Sequence, residues 1–347
     1  MSKAKGVAMA TEPTPDQIMI KMISGFWLSR AVYIAASLRI ADLIKDGART
    51  AAELALSTET HAPSLYRVLR ALASVGMFVE DENGRFHSTP LAATLQSDVP
   101  GSMRAFAVSE LGGEHLDGWS NLMHSVKTGD IAFDNYFGKS IWDFYADNPE
   151  NARVFNQSMT NVTEWANDAV TASYDFSQFE KIVDIGGGHG SLLASILSTN
   201  AKAKGVLFDR AQVVEGAGSL IEAKGVADRC DTVAGDFFSS VPEGGDAYMM
   251  KFIIHDWDDE QSIKILRNCR RAMKPGAKLL VIDLVLPSGN ESHLGKLLDL
   301  NMLVMTGGRE RTEEEFRNLY QRAGFSLTRI VKTESPFCII EGEAIWF

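Results

Sequence analysis

From Lys181 onward, short apolar runs alternate with helical stretches, a texture that a mostly parallel α/β sheet accommodates and an all-helical or all-β fold does not. Seven runs read as strands: IVDIG, GVLFD, DTVAG, AYMMKF, LLVIDLVL, SLTRIV and CIIEGEAI. Only residues 332–337 separate the last two, too few for a crossover helix, so these should pair antiparallel. Up to about Tyr174 helix-period patterns dominate instead, at 18–43, 51–56, 63–75, 102–126 and 151–172. Within them SLYRVLRALASVGMF places Leu65, Val68, Leu69, Leu72 and Val75 on one stripe, and FVEDENGRFHSTP offers two short strands around an Asn83-Gly84 turn. Helix, turn, helix and a small β-wing is the outline of a winged helix. The expected division is a mainly helical domain over 1–175 and a sheet domain over 176–347.

Length and charge narrow the function. A chain of 347 residues has room for two domains, and 34 basic against 45 acidic residues give a net charge of −11, which repels a phosphate backbone. Cys230, Cys269 and Cys338 lie far apart without a CxxC pair, so neither a zinc knuckle nor a disulfide framework is indicated. The first residues hold no apolar core of signal-peptide length, and Lys21, Arg30, Arg39 and Asp42 interrupt the first apolar stretch. The expectation is a cytoplasmic protein with neither nucleic acid nor membrane as partner.

The sharpest motif is DIGGGHG, at the end of the first sheet strand and before the apolar helix SLLASIL. Glycines at a strand-to-helix turn let the backbone approach a ligand and present helix N-terminal amides. Gly186, Gly188 and Gly190 follow G-x-G-x-G, whereas a dinucleotide fingerprint would need its third glycine where Ser191 stands. Asp209 ends the second strand about 20 residues on, where an acid can hold ribose hydroxyls. Asp236 and Phe237 end the third strand, suited to an adenine amino group and ring. In KFIIHDWDDE, Lys251, His255, Asp256 and Trp257 fall at the carboxyl edge of the sheet, where open α/β sheets bind ligands.

DIGGGHG, GVLFD, GDFF, MMKFIIHDWDDE, VIDLVLP and GGRERTEEEF, in this order after a winged-helix-like half, resemble the S-adenosylmethionine-dependent small-molecule O-methyltransferases. The likeness is to members of the plant caffeate/chalcone, hydroxyindole and bacterial polyketide-tailoring type, and it covers nearly the whole chain. It implies a class I Rossmann-like sheet and a helical dimerisation domain that forms a homodimer, Phe26 and Trp27 covering the partner's pocket. It also implies that S-adenosylmethionine is held by Asp184, Gly186, Gly188, Gly190, Asp209, Arg210, Asp236, Phe237, Lys251 and Trp257. His255 matches the general base, with Asp283 and Glu310 as the flanking acids; plant relatives commonly carry the longer Glu where this chain has Asp283. Phe155, Met159, Asp256 and Met302 match substrate-binding positions, and the acceptor implied is a small aromatic metabolite bearing a hydroxyl.

Those residue types suit the reaction. A phenol with an ordinary pKa near 10 is a poor nucleophile at neutral pH, and an imidazole can remove its proton during attack while carboxylates favour the imidazolium that results. Asp258 and Asp259 read as the start of the following helix, Thr312 with Glu315 as a capping box, and His189 as a non-catalytic loop residue. Three rivals are weighed against this reading. A metal-dependent catechol methyltransferase would use His255, Asp256, Asp258 and Asp259 as ligands; the expectation is no metal. A relative repurposed to hydroxylation, decarboxylation or N-methylation would keep the cofactor. A metabolite-sensing DNA-binding regulator would need a basic recognition helix, and SLYRVLRALASVGMF supplies only Arg67 and Arg70.

Overall fold

A computed structural model describes residues 13–345, apart from the side chains of 163–165. The segment read above as lacking a signal-peptide core lies largely outside the described residues. By contact the chain forms two compact units that divide after Ser97. That division falls earlier than the one suggested by the sequence texture at 175. The physical reason is that the helices between residues 104 and 173 share cores with the sheet unit. Ala166 and Val170 pack with Ile182, Leu192 and Ile196, while Phe133 and Ile141 pack with Val304 and Met305.

In the first unit, Thr14 caps helix Pro15–Ser37 and Thr50 caps helix Ala51–Thr58, each with a reciprocal bond from the residue three positions on. Helix Ala62–Ala73 buries Leu65, Leu69 and Leu72; Val75 falls beyond its end and is exposed, so the expected stripe is one residue shorter. Strands β1 (Arg49–Thr50), β2 (Phe78–Glu80) and β3 (Arg85–Ser88) form an antiparallel sheet in the order β1-β3-β2. The Asp81 carboxylate ties its turn by accepting from the amides of Asn83 and Arg85 at 2.9 Å each. Helix Pro15–Ser37 is by length and composition apolar enough to cross a membrane, and it exposes Ile20, Met22, Phe26 and Trp27.

In the second unit β4 (Lys181–Ile185), β5 (Lys204–Asp209), β6 (Cys230–Ala234), β7 (Ala247–Lys251) and β8 (Lys278–Asp283) run parallel. The run LLVIDLVL does not make one strand. It breaks at Leu284, and β9 (Val285–Leu286) leaves the main sheet to pair in parallel with β10 (Arg311–Thr312). Strands β11 (Phe325–Lys332) and β12 (Cys338–Ala344) pair antiparallel, and β12 inserts between β11 and β8. The sheet order is β11-β12-β8-β7-β4-β5-β6, so the connections reverse direction between β4 and β7. A crevice at such a reversal, beyond the carboxyl ends of the strands, is where this class of sheet takes its ligand.

Candidate active site

Asp184, Asp209, Lys251 and Asp283 stand at or near the carboxyl ends of β4, β5, β7 and β8, which brings distant segments to one edge. The turn after β4 holds Gly186, Gly188 and Gly190 at φ of +66°, +60° and +79°, a region L side chains rarely enter. Gly187 needs its glycine for space, since a Cβ there would meet Leu207 and the Asp184 carboxylate. Asp209 closes the turn: one carboxylate oxygen accepts from the Gly188 amide at 2.9 Å and the other from the Arg210 amide at 2.7 Å. Burial raises the Asp209 carboxyl above its usual range, although these two amides and the Arg210 charge oppose the rise. The Arg210 side chain itself is exposed. Such a cradle of backbone amides and one carboxylate fits the ribose and amino-acid portion of a nucleoside cofactor.

Asp236 is exposed and folds its carboxylate back on the chain, accepting from the Phe238 amide at 2.9 Å and the Ser239 hydroxyl at 3.0 Å. Phe237 sits edge-on to Trp257 with ring centres 5.9 Å apart. The indole N–H of Trp257 is buried without a hydrogen-bond partner among the described residues, a donor left over for a ligand. Trp257 stacks on Trp142 at 6.0 Å, which meets Phe155 edge-on at 6.2 Å, and Phe155 stacks on Tyr145 at 4.7 Å. One aromatic path thus links the predicted adenine residue with a predicted substrate residue. Met159 is half-buried on helix Pro149–Ser173, and Met302 is buried on helix Gly295–Met305.

His255 is buried in a single-turn helix after β7. Its Nδ1–H donates to Glu310 Oε1 at 2.7 Å; Asp283 Oδ1 lies 3.5 Å from the same nitrogen and Asp256 Oδ1 3.7 Å from Nε2. Glu310 therefore takes the hydrogen bond, while the shorter Asp283 acts across a gap. Burial would lower the imidazole, yet the charges of Asp283, Glu310 and Asp256 overcome it and push His255 up to about 10. Burial likewise pushes Asp283 up to about 7 and Asp256 up to about 6, with the His255 charge opposing both shifts. Phe252 stacks on the ring at 5.5 Å from an unusual backbone φ of +57°, a strain of about 1–3 kcal/mol retained beside this histidine.

The β9–β10 pairing explains how GGRERT reaches this histidine. With Arg311 in register opposite Val285, Glu310 and Asp283 are brought to the same ring. Gly308 is required because a Cβ there would run into the His255 carbonyl, and the Arg309 amide donates to that carbonyl at 2.8 Å. Asp299 accepts from the Glu310 amide at 2.8 Å. Asp258 caps the next helix by accepting from the Gln261 amide, and Thr312 with Glu315 forms a capping box, as expected of both. Asp259 pairs with Arg311 instead of serving only the helix start. Among the described residues, the donor group whose spacing would admit an ion is thus His255, Asp283 and Glu310, not the set containing Asp258 and Asp259.

Among the buried polar residues at this site, Asn167, Ser191, Ser262 and Arg311 were assigned no role from sequence. Asn167 donates to Ser191 Oγ and accepts from Lys251 Nζ, both at 2.8 Å, so one amide joins helix Pro149–Ser173 to the glycine turn and to β7. Desolvation lowers Lys251 and raises Asp184, each opposed by the other's charge.

A family model for an O-methyltransferase domain matches residues 119–326, and one for an O-methyltransferase dimerisation domain matches 20–98. The chain belongs to the O-methyltransferase family. The methyltransferase is 47% identical to the phenazine O-methyltransferase PhzM of Lysobacter antibioticus, over 95% of this chain and 96% of that one. It is 40% identical to the O-demethylpuromycin-O-methyltransferase of Streptomyces alboniger, over 94% and 89%. The crystal structure of LaPhzM superimposes with a TM-score of 0.93 at 46% identity, covering 96% of this chain and all of that one. Other similar structures, among them NcsB1 of neocarzinostatin biosynthesis and human N-acetylserotonin methyltransferase, were solved with S-adenosylmethionine. S-adenosylmethionine is the methyl donor of this methyltransferase as of its family.

Proposed function

We propose that the methyltransferase acts on a phenolic hydroxyl of a small aromatic metabolite, with His255 as general base and no metal. The observation that carries this is the buried His255, bonded through Nδ1 to Glu310 at 2.7 Å with Asp283 at 3.5 Å, so that in the neutral form of the ring Nε2 is the proton acceptor. S-adenosylmethionine supplies the electrophilic methyl group when bound. Gly186, Gly188, Gly190, Asp184 and Lys251 would hold its amino-acid portion, Asp209 and Arg210 its ribose, and Asp236, Phe237 and Trp257 its adenine. His255 takes the hydroxyl proton on Nε2 as the oxygen becomes nucleophilic, and Glu310 and Asp283 stabilise the imidazolium. Phe155, Met159, Met302 and Asp256 form the acceptor wall, and alignment of the acceptor by that wall supplies much of the acceleration. A relative named for phenazine and one solved with a naphthoic acid support fused aromatic acceptors as the first to test.

The exposed apolar residues of helix Pro15–Ser37 serve a homodimer, with Phe26 and Trp27 reaching the partner, in a cytoplasmic enzyme; the dimerisation family model over 20–98 supports the pairing of two chains. The domain roles follow: a helical dimerisation and substrate-covering part within 1–175 and a cofactor-binding catalytic part within 176–347.

The test is labelled-methyl transfer to hydroxyphenazines, hydroxynaphthoates and catechols, with and without chelator, for the wild type and His255→Ala. The variant should bind S-adenosylhomocysteine normally while turnover falls roughly 10²–10⁴-fold, the usual scale for a general base. Full turnover in the variant refutes the base assignment. Chelator-sensitive transfer refutes metal independence.

A further inference from the structure

Arg311 is nearly inaccessible, the largest fully buried side chain of the described residues. A guanidinium has five donors and cannot lose its charge, so placing one in a core is costly unless every donor finds an acceptor. Here the acceptors belong mostly to one segment. Arg311 donates to the carbonyls of Ile254 and Trp257 at 3.0 Å each, and to Asp259 Oδ1 at 2.9 Å and 3.2 Å from two nitrogens. Of the two carbonyls between them, that of His255 is taken by the Arg309 amide, and Gly308 lies against the same peptide. Ser262, which also donates to the Ile254 and Trp257 carbonyls, accepts from Arg311 at 3.3 Å. The single turn carrying His255 is thus held from outside along its length, by the residue following the Glu310 that holds the imidazole.

We propose that Arg311 is a positioning residue for the reaction. It fixes the carbonyls of the 254–257 turn, and so the angle at which His255 leaves the backbone toward Glu310 and Asp283. Arg311 touches neither the imidazole nor, in this reading, the acceptor; it acts through the backbone. Lysine cannot replace it, because one ammonium cannot reach two carbonyls and a carboxylate on separate sides, whereas the planar fork does. A misplacement of about 1 Å in a reacting group costs on the order of 10²-fold in rate, which sets the scale of what the clamp protects.

The proposal rests on His255 being the base, and the experiment separates the two. The histidine rings of the whole protein are labelled with ¹⁵N and titrated by NMR, the His255 signal being assigned by its loss in His255→Gln. His255 faces Asp256, Asp283 and Glu310, and those charges set its titration only while the ring is held against them. In Arg311→Lys the ring is expected to titrate at lower pH than in the wild type. Turnover should fall tenfold to a hundredfold, while the Kd for S-adenosylhomocysteine by calorimetry stays within twofold. A wild-type titration and pH–rate profile in this variant would overturn the proposal, as would a loss of S-adenosylhomocysteine affinity parallel to the loss of turnover.

If Arg311→Lys does not fold, Asp259→Asn decides. It removes the clamp's only charged acceptor from a partly exposed position, and it should shift the His255 titration in the same direction by less. An unmoved titration there overturns the proposal. Arg322→Ala, which removes the other partner of Asp259, is expected to leave both readouts unchanged; an equal shift would overturn the assignment by making the effect one of helix charge in general. Full turnover in His255→Gln would refute the base reading, while the ring titrations would still report whether Arg311 orients the turn.

Discussion

Replacing Glu310 by Gln keeps the size of the side chain and an oxygen near His255 Nδ1 while deleting one negative charge. In the wild type that carboxylate accepts from Nδ1–H at 2.7 Å with both side chains buried, and it is among the charges that hold the imidazole at about 10. A hydrogen bond to a charged group is worth about 1.5–3 kcal/mol, and one pKa unit corresponds to about 1.4 kcal/mol, so the loss lowers His255 by roughly one to two units. The sign follows from which form Glu310 favours: it stabilises the protonated ring, so its removal lets the proton leave at lower pH. The same free energy is withdrawn from the imidazolium formed in the reaction, which lowers the plateau rate by roughly tenfold to a hundredfold. The assay is kcat/KM against pH for both proteins with one acceptor, taken as a ratio so that titration of the acceptor cancels. The rising limb should begin at lower pH in the variant and end at a lower plateau. A limb that stays in place, or moves to higher pH, would refute the account of how His255 is held.

The remaining predictions concern separate parts of the site. Gly308→Ala places a methyl group against the His255 carbonyl, so turnover should drop about a hundredfold with S-adenosylhomocysteine binding retained; near-normal turnover would show that the contact yields freely. Asp209→Ala removes the acceptor of the Gly188 and Arg210 amides as well as the proposed ribose contact, and calorimetry should show at least about tenfold weaker S-adenosylhomocysteine binding. Because His255 is raised from 6.5 to about 10 on folding, its contribution to stability is full below about pH 6.5 and is lost as pH rises through about 10. Urea unfolding of the wild type and His255→Gln at both ends of that window should therefore show a wild-type advantage, on the order of a few kcal/mol, that shrinks with pH; a constant difference would contradict the shift.

Much of this site was legible because its parts are short segments whose chemistry is local. A glycine turn followed by an apolar helix declares a ligand-facing loop, and a charged residue closing an apolar strand declares a sheet edge. His255, Asp283 and Glu310 could be named together only through the resemblance; the spacing of 28 and 27 residues between them carries no contact information. The break of LLVIDLVL at Leu284 was invisible, since the apolar pattern continues through it and only the partner strand 26 residues on shows where Val285 turns. Arg311 was overlooked as one more charge in an acidic, basic stretch. Its signal was its position, directly after a proposed functional acid and before a capping threonine that already starts a helix. Asn167 gave no such sign, because a polar residue on a long helix usually faces water. The early domain division was hidden for a related reason: helical periodicity says that a face is buried and does not say against which half of the chain.

The two-residue pairing of β9 with β10 has a consequence for how such an enzyme can change. It fastens together the two ends of residues 287–310, so Glu310 is anchored at the seam, while the stretch between carries helix Gly295–Met305, whose Val304 and Met305 are packed with Phe133 and Ile141. The exposed leucines at the outer side of that stretch, Leu294, Leu297 and Leu300, can be exchanged without touching the register at the seam, whereas Met302, Val304 and Met305 are buried and Asp299 holds the Glu310 amide. Under the proposed roles, substitutions on the outer side of this helix are the ones that leave the Glu310 seam undisturbed, while changes at Met302 alter the buried side of the helix together with the proposed acceptor wall.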